Sequence, residues 1–262
     1  MQYPVVILCG GKGTRIYEET EQKPKPMVEI GNKPILWHIM KIYAHYNLKN
    51  FILCLGYKGE FIKSYFLNYQ AFNCDFTVKL GNRDIHMHND CIESDWEVTL
   101  ADTGLETMTG ARVKRIEKYI DADNFMVTYG DGVADIDISE LLRFHQSHGK
   151  IGTVTGVHFV SRFGELAVDD RRVTKFAEKS GASDDDGLIS GGFFVFKKDF
   201  FKYVWEIDDC ILEREPLEKL AADGELMVYH HKGFWQCLDT FREKQLLNDM
   251  WNSGQAKWKV WS

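Results

Sequence analysis

The sequence contains no apolar run that approaches the ~20 residues of a membrane-spanning helix. It also has no basic N-terminal segment ahead of an apolar core, which is the pattern of a secretory signal. We therefore expect no membrane association and a cytoplasmic location. Basic residues are not in excess either, because the formal net charge is −7 at pH 7. An acidic chain argues against nucleic acid as the main partner.

Cysteine pairs of the C-x-x-C type are absent as well, although the chain has six cysteines. Cys9 and Cys54 lie inside apolar runs that are typical of strands, which predicts buried thiols and favours a reducing compartment. An even number of cysteines is only weak support for disulfides in a chain of this length.

Neither repeats nor linkers interrupt the 262 residues, so we predict a single domain. Apolar runs alternate with amphipathic stretches in the first half, which favours an α/β fold with a mostly parallel, mixed sheet flanked by helices. The second half is richer in strands and predicts a smaller β-rich extension. The predicted strands are 5–9, 51–55, 125–129, 151–159, 165–168 and 173–178, and the predicted helices are 35–46, 59–68 and 139–148.

A glycine-rich loop, Gly10-Gly11-Lys12-Gly13-Thr14-Arg15, follows directly after the first predicted strand. Glycines at the carboxyl end of a strand let backbone N–H groups approach an anion closely, because no Cβ is in the way. A Walker A loop is excluded because a glycine follows Lys12, and a dinucleotide fingerprint is excluded because Ile16 replaces its last glycine. The alternative interpretation is a tight turn with incidental lysines.

Four cations lie close together in and after this loop: Lys12, Arg15, Lys23 and Lys25. Glutamates are interspersed among them, so the segment is a fitted anion site and not a basic patch. Arg15 and Lys25 supply charge that phosphate oxygens can use. The loop and its cations together predict a triphosphate site.

Two aspartates are candidates for further chemistry. Asp131 lies between two glycines after a predicted strand, and a carboxylate at a buried strand end costs several kcal/mol unless it is paired or metal-bound. A Mg²⁺ ion that bridges phosphates would suit it, since Mg²⁺ takes only one or two protein carboxylates. The alternative is a turn aspartate that bonds its own backbone. Asp239, by itself, is equally well explained as a helix N-cap.

The loop, the Lys23-Pro24-Lys25-Pro26-Met27 motif and several later segments resemble the sugar-1-phosphate nucleotidyltransferases. The similar segments run nearly end to end, from the first loop to Gly-Phe-Trp-Gln at 233–236. The Tyr-Gly-Asp-Gly-Val-Ala-Asp block at 129–135 and the Trp-His-Ile-Met helix at 37–40 are similar to the cytidylyl branch.

The resemblance implies a Rossmann-like sheet and Mg²⁺-dependent transfer of CMP from CTP to α-D-glucose 1-phosphate, giving CDP-glucose and pyrophosphate. It implies a nucleotide-binding part at about 1–150 and a sugar-phosphate-binding and C-terminal part at about 151–262. It also implies a homo-oligomer and a role in lipopolysaccharide O-antigen synthesis.

Roles for individual residues follow from the same resemblance. It implies that Arg15, Lys25 and Asp131 are catalytic and that Asp131 and Asp239 hold the metal. The nucleotide-binding positions that it implies are Leu8, Gly10, Gly11, Lys12, Gly13, Thr14, Arg15, Lys25, Thr107, Gly110, Arg112 and Gly130. The implied sugar-phosphate positions are Tyr129, Glu178, Lys179, Ser190, Gly192 and Trp235.

Two departures from the family pattern leave the identity of the sugar 1-phosphate undecided. Ser180 stands where proline is usual, and Ser190 stands where asparagine is usual. A serine offers one donor, whereas an asparagine amide offers two donors and an acceptor. Another sugar 1-phosphate, UTP or dTTP as the nucleotide, and a non-catalytic nucleotide-binding subunit remain alternatives.

Two further features have structural interpretations. His86 and His88 could chelate a metal from one strand face, but no third ligand is spaced nearby. The tail contains Trp258 and Trp261, which we expect to pack on the core or on a neighbouring subunit.

Overall fold

The computed structural model describes residues 3–158, 165–169, 172–177 and 187–261. Its strands form one large sheet and several two-stranded units. The strands are β1 (Val5–Leu8), β2 (Glu29–Ile30), β3 (Lys33–Pro34), β4 (Asn50–Leu55), β5 (Phe76–Lys79), β6 (Asp84–Met87), β7 (Glu97–Asp102), β8 (Asn124–Tyr129), β9 (Gly132–Ala134), β10 (Gly152–His158), β11 (Glu165–Asp169), β12 (Arg172–Ala177), β13 (Leu188–Lys197), β14 (Leu226–His231) and β15 (Trp235–Cys237).

Seven of these strands form the central sheet in the order β14-β10-β13-β8-β1-β4-β7. Strands β8, β1, β4 and β7 pair in parallel, as do β10 and β14, whereas β13 is antiparallel to both of its neighbours. Six strands therefore run one way and β13 runs the other, which confirms the mostly parallel, mixed sheet. In the register of the central strands, Val5 lies opposite both Phe51 and Met126.

Helices cover both faces of this sheet. They are α1 (Tyr17–Thr20), α2 (Ile35–His45), α3 (Gly59–Leu67), α4 (Tyr69–Asn73), α5 (Thr109–Arg115), α6 (Ile138–His148), α7 (Glu215–Ala222) and α8 (Phe241–Asn252). Val5 and Ile7 of β1 belong to the buried cluster that includes α2, and Val6 and Leu8 belong to the cluster that includes α5. Successive residues of a strand point to opposite faces, so an unbroken apolar run is what a doubly covered strand requires.

The C-terminal segment packs on the core, as predicted. Trp258 is 0% exposed, and its indole N–H donates to Nδ1 of His38 at 3.4 Å. Nε2 of His38 lies 2.9 Å from the carbonyl oxygen of Ile30, so the ring is a buried link between α2 and the tail. Trp37 and Trp251 stack edge-on against the same histidine.

Strands β5 and β6 form a hairpin that stands apart from the central sheet. Phe76 pairs with Met87 and Val78 pairs with Ile85, so these four side chains share one face of the ribbon. Phe76 and Val78 are each 40% exposed and Ile85 is 57% exposed. We call this set (Phe76, Val78, Ile85 and Met87) the apolar hairpin face.

A disulfide between Cys74 and Cys91 closes the base of the hairpin. A reducing compartment predicts free thiols, so this disulfide was not expected. The hairpin brings Cys74 and Cys91 together, and the spacing of the cysteines along the sequence did not predict that contact. Cys9 and Cys54 are free and buried, as predicted.

The second half of the chain is rich in strands, as expected, and includes the antiparallel pair β11–β12. Its division from the first half at about residue 150 stays a prediction. Within the described ranges, no helix has both the length and the apolar character needed to cross a membrane.

Candidate active site

A cleft of about 370 Å³ opens at the carboxyl ends of β1 and β8. Ligands of open α/β sheets bind at this edge, because the loops that leave parallel strands meet there. Most of the residues implied for the nucleotide and the metal line it. The lining consists of Leu8, Cys9, Gly10, Gly11, Gly13, Thr14, Lys25, Pro26, Thr107, Met108, Thr109, Arg112, Tyr129, Gly130, Asp131 and Asp239.

The glycine loop forms one wall of the cleft. Gly13 has φ of +63°, in the left-handed region, and a Cβ there would lie 2.8 Å from Cγ2 of Thr20. The hydroxyl of Thr20 donates to the carbonyl oxygen of Gly13 at 3.0 Å. A glycine is therefore required at 13 both for backbone conformation and for space.

Lys25 lies between the two candidate aspartates and adjoins the glycine loop, since a Cβ at Gly13 would be 3.2 Å from Cβ of Lys25. Its Nζ donates to Oδ2 of Asp131 and to Oδ1 of Asp239, each at 2.5 Å. Burial by itself lowers the pKa of Lys25, but the Asp131 carboxylate and its hydrogen bond, joined by Asp239, outweigh burial and raise it above its ordinary value. Lys25 therefore carries its charge at neutral pH.

Helix α8 holds Asp239 in place, and the N-cap interpretation of this residue is wrong. The N-cap is Thr240, which forms a capping box with Glu243. The buried carboxylate of Glu243 accepts from the backbone N–H groups of Asp239 and Thr240 at 2.7 and 2.8 Å. These bonds fix the backbone at Asp239 and so help to position its carboxylate.

The carboxylate pair fits the Mg²⁺ ion that the resemblance implies. Asp131 and Asp239 already converge on one cationic atom, Nζ of Lys25, and both side chains are partly exposed to the cleft. Two carboxylates plus phosphate oxygens and water are a usual ligand set for Mg²⁺. Among the residues that the structure describes, no group of three histidine, cysteine or acidic side chains is arranged for a metal, so phosphates would have to complete the shell.

Arg112 also lines the cleft, but its guanidinium is bound to the protein itself. The residue is 4% exposed, and its donors reach the carbonyl oxygens of Leu55, Gly104 and Gly10 at 3.0, 2.8 and 3.2 Å. Burial lowers the pKa of Arg112 from its ordinary value, although the group is still a cation at neutral pH.

Two implied nucleotide residues lie outside the cleft lining. The Lys12 side chain is exposed and pairs with Glu106 at 2.8 Å. Gly110 packs against Cys210, whose Sγ would lie 2.7 Å from a Cβ at that position. Arg15 lies on the single turn Thr14–Ile16, and its side chain is outside the described part of the structure.

The implied sugar-phosphate residues fall into two groups. Glu178, Lys179 and the departure at Ser180 lie outside the described residues. Gly192 lies against the ring of Tyr129, because a Cβ at 192 would be 2.5 Å from Cδ2 of that ring. Ser190 and Trp235 border this glycine, since Oγ of Ser190 accepts from the Gly192 N–H at 3.4 Å and the Trp235 indole donates to Gly191 at 2.8 Å.

Sequence reasoning missed segment 207–214, which contacts residues that line the cleft. Glu213 accepts from the Tyr129 hydroxyl, and it also accepts from the hydroxyl of Thr109 at 2.9 Å. The carbonyl oxygen of Cys210 accepts from the N–H groups of Gly110 and Ala111 at the start of α5. Nothing local in the sequence at 207–214 indicates this contact, because it depends on residues about a hundred positions away.

Comparison with known proteins identifies the family of this chain. Residues 4–242 match the family described as nucleotidyl transferase. The glucose-1-phosphate cytidylyltransferase of Salmonella typhi is 48% identical over 98% of this chain and 98% of its own length. The mannose-1-phosphate guanylyltransferase catalytic subunit beta of Dictyostelium discoideum is 27% identical over 94% of this chain and 63% of its own length.

Solved structures confirm the fold. HddC from Yersinia pseudotuberculosis, complexed with GMP-PN, has a TM-score of 0.68 at 23% identity and covers 95% of this chain and 100% of its own. A UDP-glucose pyrophosphorylase complexed with UDP-glucose has a TM-score of 0.69 at 14% identity, with 97% and 100% covered.

The chain therefore belongs to the nucleotidyl transferase family and is an enzyme of that class. Within the family its strong similarity is to the glucose-1-phosphate cytidylyltransferases, which confirms the branch that its motifs predicted. The alternative of a non-catalytic nucleotide-binding subunit is thereby excluded.

Proposed function

We propose that the enzyme transfers CMP from CTP to α-D-glucose 1-phosphate and releases CDP-glucose and pyrophosphate. The observation that carries this proposal is the convergence of Asp131 and Asp239 on Lys25, beside the glycine loop and in the same cleft. That arrangement combines donors for a polyphosphate with two acidic ligands for a divalent cation. The relatives at 48% identity over nearly full length support the choice of CTP and glucose 1-phosphate.

The reaction is an in-line displacement at the α-phosphorus of CTP. An oxygen of the sugar phosphate forms the new P–O bond, and the bond to the β-phosphate oxygen breaks on the opposite side, so that pyrophosphate leaves with the electron pair. A phosphate monoester is largely ionised near neutral pH, so no general base is required. Catalysis then consists of positioning and charge stabilisation.

The residues of the cleft have separate roles in this reaction. Backbone N–H groups of Gly10, Gly11 and Gly13 donate to the phosphates, and Arg15 neutralises the leaving pyrophosphate. Lys25 binds between the α-phosphate and the acceptor phosphate, which its persistent charge suits. Asp131 and Asp239 would hold Mg²⁺, which when bound neutralises the negative charge on the phosphates.

Recognition of the base and of the sugar are separate questions. CTP and UTP differ at position 4 of the base, amine against carbonyl, so a pocket arranged to accept from the amine leaves its acceptor unpaired with UTP. On the sugar side, Ser190 and Gly192 adjoin Tyr129 at the edge of the cleft. Ser190 is therefore a candidate for tuning the choice of sugar phosphate.

A pyrophosphate-release assay tests the proposed function directly. Purified protein is assayed with CTP, UTP and dTTP against glucose, galactose and mannose 1-phosphates, with Mg²⁺ present and then removed by EDTA. We expect kcat/KM for CTP to exceed that for UTP by about ten- to a hundredfold, the effect of one mismatched buried hydrogen bond. Equal kcat/KM for the nucleotides, or undiminished turnover in EDTA, would contradict the assignment.

The proposal includes a homo-oligomer. The apolar hairpin face supports it, because an exposed amphipathic ribbon of two strands is at best marginally stable without a surface to cover. We also include a cytoplasmic location and a role in supplying CDP-glucose for O-antigen synthesis. The free, buried thiols of Cys9 and Cys54 support a reducing compartment, and the Cys74–Cys91 disulfide counts against it.

A further inference from the structure

The guanidinium of Arg112 joins three loops that leave neighbouring strands of the sheet. One nitrogen donates to the carbonyl oxygen of Leu55 at 3.0 Å, at the end of β4, and to Oγ1 of Thr103 at 2.8 Å, after β7. The other donates to the carbonyl oxygen of Gly10 at 3.2 Å, after β1. The carbonyl oxygens of Gly104 and Leu105 lie at 2.8 and 3.4 Å. A planar fork of donors is suited to such bridging.

The space around this guanidinium is filled by backbone. A Cβ at Gly10 would lie 2.2 Å from the guanidinium carbon of Arg112, and a Cβ at Gly56 would lie 2.5 Å from one of its nitrogens. The glycines after β1 and β4 therefore leave room for the Arg112 guanidinium, as well as for a ligand. The arginine and the two glycines form a packed unit beneath the loop.

This unit determines how the peptide between Gly10 and Gly11 is oriented. The carbonyl oxygen of Gly10 accepts from Arg112 and also from the N–H of Tyr57 at 3.2 Å. In a planar trans peptide the C=O and N–H bonds point in opposite directions. The N–H of Gly11 must then point away from Arg112, and Gly11 lines the cleft.

We propose that Arg112 is a positioning residue, which fixes the Gly10–Gly11 peptide so that the Gly11 N–H donates to the β- or γ-phosphate of the nucleotide. This inference rests on the proposed function, and it adds to the place of Arg112 in the nucleotide site a role that is exerted through the loop. The charge of Arg112 is directed to backbone carbonyls, and its effect reaches the phosphates through the loop.

The test compares ligands with and without the terminal phosphates. Isothermal titration measures the Kd of CTP, pyrophosphate and CMP for wild type and Arg112→Lys, which keeps the charge but cannot bridge three loops. We expect Kd for CTP and for pyrophosphate to rise about 10- to 100-fold, the loss of a charge-assisted hydrogen bond, and Kd for CMP to change less than about threefold. The matched control is Arg143→Lys, at an exposed arginine of α6.

Steady-state kinetics separates positioning from loss of folded protein. We expect the KM for CTP to rise and the KM for glucose 1-phosphate to stay constant, whereas a lower fraction of active enzyme would reduce kcat and leave both KM values unchanged. Thr103→Val removes one acceptor of the guanidinium and is expected to give the same pattern with a smaller amplitude. It keeps the test decisive if Arg112→Lys does not fold.

Three outcomes would overturn the proposal. They are equal weakening of CMP and CTP, unchanged Kd values for CTP and pyrophosphate, and a change in KM for glucose 1-phosphate alone. Wild-type protein that neither binds CTP nor releases pyrophosphate would contradict the proposed function itself, so the two failures are distinguishable.

Discussion

At the scale of single residues, the cleft is organised around one cation between two anions. Two carboxylates that approach each other in a partly buried site repel, and Lys25 offsets this repulsion through bonds of 2.5 Å to each. The folded-state pKa of Lys25 is raised, so its contribution to stability is fully present below about pH 10.4, its usual unfolded value. The contribution is lost only as the pH rises through the folded-state value.

The first prediction concerns Asp131→Asn. We expect turnover to fall on the order of 10³-fold or more, because the substitution removes a charged ligand for the cation that stabilises the transferring phosphoryl group. The fold should be retained, since Lys25 still pairs with Asp239. The measurement is pyrophosphate release at saturating Mg²⁺, together with the thermal midpoint.

Asp121→Asn provides the matched control, because Asp121 is an exposed aspartate outside the cleft lining. It should have wild-type activity. A wild-type rate in Asp131→Asn at saturating Mg²⁺ would remove Asp131 from the metal site, and a collapsed thermal midpoint would show that its role is structural.

At the scale of elements, the start of helix α8 connects stability to the site. The capping box satisfies orphan N–H groups of the helix, and the same Glu243 carboxylate holds the backbone of Asp239. Two substitutions separate these functions, since one removes the cap and the other removes both the cap and the bond to Asp239.

We predict that Thr240→Ala lowers the free energy of unfolding by about 1 kcal/mol with little effect on kcat. Glu243→Ala should cost about 2–3 kcal/mol, because two partly buried N–H groups lose a charged acceptor, and it should also lower kcat by displacing Asp239. Urea unfolding and the pyrophosphate assay measure the two effects. If both variants lost activity in proportion to stability alone, the link between Glu243 and Asp239 would be refuted.

A second element-scale prediction concerns His38 and the tail. Burial lowers the pKa of His38 from 6.5 to about 4, and the backbone carbonyl of Ile30 opposes this only in part. The folded state therefore binds fewer protons than the unfolded state between these pH values. Stability is fully present above about pH 6.5 and falls as the pH drops towards 4, by roughly 3 kcal/mol.

His38→Gln keeps a donor for the Ile30 carbonyl and removes this titration. We expect its unfolding free energy, measured by urea at pH 7 and at pH 4.5, to depend less on pH than that of wild type. His145 is also buried with a pKa lowered to about 4, so some dependence should remain. His45→Gln, at an exposed position on α2, is the control. Identical slopes for His38→Gln and wild type would disprove the explanation.

Elements were largely predictable from the sequence, and contacts between them were not. Apolar runs with buried side chains predicted β1, β4 and β8 within a residue or two, and the loop glycines predicted the edge where the cleft lies. The pairing of Lys25 with Asp239 spans 214 positions, so no local pattern could indicate it. The acceptors of the Arg112 guanidinium likewise lie on three different loops, so no local pattern could indicate them.

At the scale of the whole molecule, the hairpin of β5 and β6 has one polar face and one apolar face. Lys79 pairs with Asp84 and Thr77 pairs with His86 on the polar face. A monomer that exposed the apolar hairpin face would carry an unprotected patch, and association of copies would cover it. In the proposed homo-oligomer, this ribbon would form part of the interface.

The last prediction is that Ile85→Lys reduces the assembly to a smaller species, because a charge on the apolar hairpin face cannot be buried at an interface without a partner. Size-exclusion chromatography with light scattering measures the mass, and only copies of this chain are present in the sample. His86→Lys places the same charge one residue away on the opposite face and should leave the mass unchanged. A monomeric wild type, or equal masses for wild type and Ile85→Lys, would contradict the role of the hairpin.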